Sequence, residues 1–261
     1  MKTTPHAPVS SQRTTNAVLA MRHVSKVYGS GPQAIHALAD VSVEIHGGGV
    51  TAIMGPSGSG KSTFMNVAAG LDDITSGEVY LAGAPLHSLD DHGRTVLRRD
   101  HVGFVFQSFN LVPTLDVREN VELPFRLAGR PIGAPEREWI DRLLQTLGLS
   151  DRVAHRPAQL SGGQQQRVAI VRALASRPQI VFADEPTGNL DSRTSREVLT
   201  LLRTAAQEYG QTIAIVTHDP VAASYADRIL VIADGALVTD HGPLPAQQIS
   251  QLLIDVEEGA A

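Results

Sequence analysis

Cysteine is absent from all 261 residues, which excludes disulfides and thiolate metal sites and fits a reducing compartment. A basic excess is absent too. Lys and Arg total 22 against 27 Asp and Glu, so the formal net charge is −5. That balance argues against a broad cationic face for nucleic acid. No run comes near the roughly 18 consecutive apolar residues that a bilayer-crossing helix requires. Any membrane role must therefore come through a partner chain. Met1 to Ala17 is rich in Thr, Ser and Pro and lacks an apolar core segment, so a disordered leader is expected there rather than a secretory signal. Internal repeats and low-complexity blocks are missing as well.

What is present is an ordinary globular composition, 42% hydrophobic and 19% charged, with ample material for a core. Val18 to Tyr28 and Val41 to Ile45 alternate apolar and polar residues, as half-buried strands do. Val50 to Met54, Ile180 to Ala183, Thr212 to Val216 and Ile229 to Ile232 are apolar at nearly every position. Such runs predict inner strands of a parallel sheet covered on both faces. Between two of them, Arg193 to Glu208 places Val198, Leu199, Leu201, Leu202 and Ala205 at helical spacing. The alternation predicts an α/β layered fold with crossover helices.

The middle differs. From about residue 97 to 160 strand-like runs are few beyond Val102 to Phe106. Glu136 to Leu149 puts Trp139, Ile140, Leu143, Leu144 and Leu147 on one helical face, with Trp139 expected as a core aromatic. Pro113, Pro124, Pro131 and Pro135 punctuate the approach, predicting a mobile hinge into a small helical subdomain. After Asp240 a linker and one helix, Pro245 to Val256, are expected.

Gly55-Pro56-Ser57-Gly58-Ser59-Gly60-Lys61-Ser62 fits G-x-x-x-x-G-K-[ST] after a predicted strand and before a predicted helix. The glycines allow successive N–H groups to turn inward around phosphate oxygens. Lys61 supplies a point charge, and the Ser62 hydroxyl is a candidate Mg²⁺ ligand. Asp184 closes an apolar run, which sets its carboxylate at the C-terminal edge of the sheet, with Glu185 beside it. One acid can then serve the metal while the other orients a water. A second anion loop follows from Leu160-Ser161-Gly162-Gly163-Gln164-Gln165-Gln166-Arg167, where two glycines precede a helix-compatible run and leave N–H groups open. Whether both loops serve one nucleotide separates a monomeric kinase-like enzyme from half of a dimeric motor.

With these motifs in order, roughly Leu19 to Asp240 resembles the nucleotide-binding subunit of an ABC transporter. The resemblance implies a P-loop NTPase core of the ABC-ATPase kind, with a mostly parallel sheet, flanking helices, antiparallel N-terminal strands and a small helical subdomain. It implies a domain over 18–240, the helical part near 97–160, and a tail over 241–261. Tyr28 matches the aromatic that stacks on adenine, and Gly55 to Thr63 the phosphate loop. Gln107 matches the glutamine that joins the metal and senses the γ-phosphate. Ser161, Gly162, Gly163 and Gln164 match the signature. Asp184 matches the metal acid, Glu185 the general base and His218 the switch histidine. Asn189-Leu190-Asp191 matches the dimer-contact loop, with asparagine where the commoner pattern has alanine. By the residues alone Tyr28 reads as core or edge-strand packing, Gln107 as a strand-end cap and His218 as an ordinary surface or core histidine.

The stretch Phe104 to Pro113, followed by Glu119 to Pro124, is similar to the ATPases of the macrolide-export and lipoprotein-release type, whose relatives include the cell-division ATPase. That similarity implies ATP and Mg²⁺, an ATP-dependent homodimer, and a separate transmembrane permease subunit on the cytoplasmic face of the membrane. It implies no nucleic acid partner. Export or extraction is the expected activity, with regulation of a membrane partner as the alternative. Phe109, Leu111, Val112 and Leu115 are expected either to fill the seam between the lobes or to form a groove for a helix of that partner.

Overall fold

The computed structural model describes residues 17–259, so the leader expected over Met1 to Ala17 lies, apart from Ala17, outside the described residues. In chain order, β1 (Ala17–Tyr28) and β2 (Ile35–His46) pair antiparallel, and β2 starts six residues before the alternation at Val41. β3 (Gly49–Met54) leads through the glycine loop into α1 (Lys61–Ala68), followed by β4 (Ser76–Leu81), β5 (Ala84–Pro85), α2 (Asp91–His101) and β6 (Val102–Phe106). Next come α3 (Val117–Leu127), α4 (Ala134–Thr146), α5 (Gly162–Ala175), β7 (Ile180–Asp184) and α6 (Ser192–Tyr209). β8 (Thr212–Val216), α7 (Pro220–Ala223), β9 (Arg228–Ala233), β10 (Ala236–His241) and α8 (Ala246–Glu257) complete the order.

Among the described residues the strands build two sheets. One is antiparallel, in order β2-β1-β4-β5; the other runs β10-β9-β3-β8-β7-β6. Pairing is parallel from β9 to β6, with β10 antiparallel at the edge. The continuous apolar runs have a simple cause. Val50, Ala52 and Met54 of β3 face the core shared with α3 to α8, whereas Ile53 faces α1 and the small sheet. The same split recurs in β8, with Ile213 and Ile215 on one side and Ala214 and Val216 on the other. Side chains alternate faces along a strand, so a strand covered on both sides must be apolar throughout. Complete burial of a residue such as Phe64 or Phe182 contributes about 1.5 to 3 kcal/mol.

The interval 97–160 contains β6, which is hydrogen-bonded to β7 in the large sheet, and then the helices α3 and α4. Of the four prolines on the approach, Pro113 and Pro131 stand in the loops before α3 and α4, and the other two are helical. Pro124 sits inside α3 and Pro135 occupies the first turn of α4. α3 begins with a reciprocal cap, in which Asp116 accepts from the Glu119 N–H and Glu119 accepts from the Asp116 N–H. Fully buried Asn120 holds the preceding turn. It accepts from the Val112 N–H at 2.8 Å and donates to the carbonyls of Val112, Leu115 and Asp116. Trp139 is buried as expected, donating to the Leu174 carbonyl at 3.1 Å with its ring edge-on to Tyr209. The segment after Asp240 is not a loose tail. Ile249 of α8 is buried, and Leu252, Leu253 and Val256 pack on the main core.

Candidate active site

Four adjacent parallel strands end at one sheet edge, and each delivers a candidate residue there. After β3 comes the glycine loop, after β8 the pair Thr217-His218, at the end of β7 the pair Asp184-Glu185, and after β6 Gln107. In chain order these segments lie far apart. The strand order β3-β8-β7-β6 sets them side by side, where open α/β sheets take their ligands.

The loop has a geometry only glycine allows at two points. Gly55 has φ 147° and Gly60 has φ 106°. A Cβ at Gly55 would strike the Ile232 carbonyl, and one at Gly60 would strike the Ala37 carbonyl. Lys61 curls back over the loop and donates to the carbonyls of Gly55 at 2.8 Å and Pro56 at 2.7 Å. Its ammonium titrates below the ordinary lysine value because it is partly buried, with the nearby Glu185 charge opposing the shift. The buried Ser59 hydroxyl has no hydrogen-bond partner among the described residues. Above the loop, a cleft of about 300 Å³ is bounded by Tyr28, Ile35, His36 and Ala37 on one side and Gly58 to Thr63 on the other. An unpartnered buried hydroxyl, a partly desolvated ammonium and a cradle too tight for side chains fit the phosphates of a nucleotide.

The acidic side of the edge is equally specific. Asp184 titrates above the ordinary carboxylate value, first because it is half-buried and second because Glu185 adds like charge. Glu185 has a left-handed backbone, φ 44°, unusual for a non-glycine residue. Three hydrogen bonds hold its carboxylate: from the Thr217 hydroxyl at 3.0 Å, the His218 N–H at 3.0 Å and the His218 ring Nδ1 at 2.6 Å. The Glu185 N–H donates to the Val216 carbonyl, so residue 185 is strapped to the end of β8. Among the described residues no cluster of three or more His, Asp or Glu is arranged around a cation. A divalent ion held by Ser62, Gln107 and Asp184 would therefore complete its shell with phosphate oxygens and water, the ligand set magnesium favours.

Two candidates have partners of their own, one at the edge and one away from it. The Gln107 side chain donates to the Asn189 carboxamide at 3.1 Å, and Asn189 donates to the Gln107 carbonyl at 3.1 Å. Gly188 leaves room for that pair, since a Cβ there would meet Gln107 Nε2 at 2.7 Å. The signature segment is the other. Ser161 caps α5, accepting from the Gln164 N–H at 3.3 Å while Gln164 accepts from the Ser161 N–H at 2.9 Å. A Cβ at Gly162 would meet Leu190 and Phe109, and one at Gly163 would strike Thr194. Among the described residues no hydrogen bond joins 160–164 to the 55–63 loop, and none of 160–164 borders the cleft.

Several contributors were not read from the residues. Thr217 orients Glu185, Asn120 shapes the turn after Gln107, and Arg172 of α5 donates to the carbonyls of Phe109 at 3.0 Å and Asn110 at 2.6 Å. Phe109 and Asn110 both have left-handed backbones, with φ 61° and 49°, so Arg172 holds a strained bend. Asn120 had a signal. It occupies a position on the apolar face of α3 with Val117, Val121 and Phe125, where a polar residue needs internal partners. Arg172 had none in local sequence.

The family described as ABC transporter matches residues 38–188. The ABC transporter ATP-binding protein YbbA of Escherichia coli is 48% identical over 220 residues, which are 84% of this chain and 96% of YbbA. The macrolide export ATP-binding/permease protein MacB of Marinobacter nauticus is 47% identical over 90% of this chain, but that match covers only 36% of MacB. Among solved structures, the dimeric post-hydrolysis state of the cassette MJ0796 of Methanocaldococcus jannaschii, bound to ADP and Pi, superposes with a TM-score of 0.76 at 44% identity. That superposition covers 86% of this chain and 98% of the archaeal one.

Proposed function

The chain belongs to the ABC transporter ATP-binding family, and from that premise we propose that it is the ATP-hydrolysing cassette of a transporter. Two copies close around two ATP molecules and drive a separate transmembrane subunit. One observation carries this reading: the chain holds two phosphate-grade loops, 55–63 and 160–164, and its fold keeps them apart. A loop unused at its own site is available to a second copy. The archaeal cassette, whose structure is described as dimeric and bound to ADP and Pi, supports the arrangement.

Each residue then has a task. The 55–63 backbone and Lys61 hold the phosphates, and Tyr28 takes the adenine ring. Ser62, Asp184 and Gln107 would hold Mg²⁺, which would supply charge neutralisation to the nucleotide phosphates. Glu185 orients the attacking water and accepts its proton. His218, already bonded to Glu185 in the chain by itself, hydrogen-bonds the γ-phosphate in the closed dimer. Ser161 to Gln164 of the second copy contribute the N-terminus of α5, whose open N–H groups favour anionic oxygens. Hydrolysis divides the group shared across the interface, and the dimer loosens.

The reading predicts a concentration dependence. ATP turnover per chain should rise with protein concentration and level off once dimers predominate, measured as phosphate release over a dilution series. A specific activity that stays flat down to concentrations where sedimentation shows only monomer would sink it.

No described helix is long and apolar enough to cross a membrane, so transport needs a partner. A groove of about 430 Å³ between α2, β6, α3 and α5 suits a helix of that subunit, and on this reading the cassette works at the cytoplasmic face of the membrane. Phe104, Phe106, Leu123, Pro124 and Leu127 give it an apolar wall, and Leu127 is 74% exposed. Of the residues named from sequence, Leu111 packs on the core instead, and the Phe109 carbonyl is held by Arg172. Leu127→Asp should abolish co-purification with the membrane subunit while basal ATP turnover stays within about twofold, since surface changes leave the fold nearly untouched. An intact complex carrying that variant would move the docking site elsewhere. Export is the direction this reading favours, from the macrolide export relative.

A further inference from the structure

Lys26 is a lysine that the fold buries, and the catalytic edge makes no use of it. It is 8% exposed and sits two residues before Tyr28 on β1. Its ammonium donates to Asp72 Oδ1 at 2.6 Å and to the Asp73 carbonyl at 2.7 Å. The same ammonium lies 4.7 Å from the centroid of the Tyr28 ring. Asp72 completes the circuit, with its other oxygen accepting from the Tyr28 hydroxyl at 2.5 Å. The Asp72 carboxyl stays below its usual range despite partial burial, through hydrogen bonds from Lys26 and Tyr28. Two more bonds tie this turn to β1: the Val27 N–H donates to the Thr75 hydroxyl, and the Thr75 N–H donates to the Ser25 carbonyl.

Tyr28 borders the phosphate cleft and is 39% exposed, whereas Lys26 does not border it. The cation thus lies against the ring without lining the cleft, and Tyr28 itself is open to a ligand there. A ring bonded at its hydroxyl and flanked by a cation has fewer rotamers open to it, so less freedom is lost when a base stacks on it. The cation also draws electron density from the ring, which favours contact with an electron-rich purine.

We propose that the Lys26–Asp72 pair is the positioning element of the base site, holding Tyr28 in the orientation that takes the adenine of ATP. The proposal rests on the reading of Tyr28 as the stacking aromatic. A pair that only stapled the 72–75 turn to β1 would not distinguish ligands with a base from ligands without one. The probes are therefore ATP and inorganic tripolyphosphate, titrated by calorimetry into the full chain with EDTA present to prevent hydrolysis. Lys26→Met keeps the apolar stem and removes the charge. It should weaken ATP binding about two- to tenfold, the scale of immobilising one side chain on binding, and leave tripolyphosphate unchanged. Lys26→Arg should retain ATP affinity, and in a Tyr28→Ala background Lys26→Met should cost nothing further.

Equal losses for the two ligands would reduce the pair to a staple and overturn the proposal. So would unchanged ATP affinity, or losses that add in the double variant. If the unmodified chain bound ATP no more tightly than tripolyphosphate, the stacking role of Tyr28 would fail first, and that outcome is distinct from the others. Asp72→Asn, which spares the lysine, provides a second variant with the same expected pattern should Lys26→Met fold poorly.

Discussion

Glu185→Gln leaves ATP binding intact and slows turnover about 10²- to 10⁴-fold, the span expected when a positioned general base is lost. The substitution is nearly isosteric, so its surroundings indicate how it will sit. The carboxamide oxygen can still accept from the His218 N–H, and the new NH₂ can donate to the Thr217 hydroxyl. The left-handed backbone at 185 is unaffected because its N–H bond to Val216 remains. The side chain can no longer take a proton from water. Since the phosphate ligands on both copies persist, ATP-bound dimers should accumulate. Single-turnover phosphate release measures the first effect and sedimentation with ATP the second. A variant that hydrolyses ATP at a near wild-type rate would remove Glu185 from the base role.

Lys61→Ala is the second large effect, and it acts at the binding step. The ammonium is held on the loop by two carbonyls and is partly desolvated, a state that a phosphate would relieve. Hydrogen bonds to charged groups contribute about 1.5 to 3 kcal/mol each, so the loss should weaken ATP binding roughly tenfold to a few hundredfold. The fold should not suffer, because the carbonyls of Gly55 and Pro56 belong to a loop at the cleft and a partly buried cation leaves with the side chain. Thermal unfolding of the variant at or above the wild-type midpoint, together with weak calorimetric heats for ATP, is the expected combination. Unchanged ATP affinity would contradict the placement of the phosphates over this loop.

How much of this was legible in the chain depends on where each signal sits. The strands β3, β7, β8 and β9 declare themselves because burial on both faces forces every position to be apolar. β4 does not, being six residues long and beginning Ser-Gly-Glu, with its pairing supplied by β1. α2 buries no residue and so has no apolar period to read; only Asp90, accepting from the Gly93 N–H, marks its start. α3 was hidden by Pro124, which ordinarily breaks a helix, and by Asn120 on its apolar face.

At the site the same division holds. The 55–62 loop, the Asp184-Glu185 pair and the 160–167 segment are contiguous, and their chemistry follows from spacing and from the glycines that their turns require. The partners that orient them are remote. Gln107 and Asn189 are 82 residues apart, Arg172 and Asn110 62 apart, and Lys26 and Asp72 46 apart. Side chains at such separations meet only because sheet order and helix packing carry them together.

The sequence by itself therefore determined the chemical parts: a phosphate cradle, two acids, a second anion loop and an apolar layered core. It could do so because each part is encoded in a short run whose backbone demands or periodicity are local. Only the tertiary structure decided which parts share a site. The strand order β3-β8-β7-β6 gathers loop, histidine, acids and glutamine at one edge, and α5 seats its capped N-terminus against Leu190 and Thr194 instead. That separation is a property of packing between distant segments, and it leaves the second loop free of the first, as the proposed two-copy site requires.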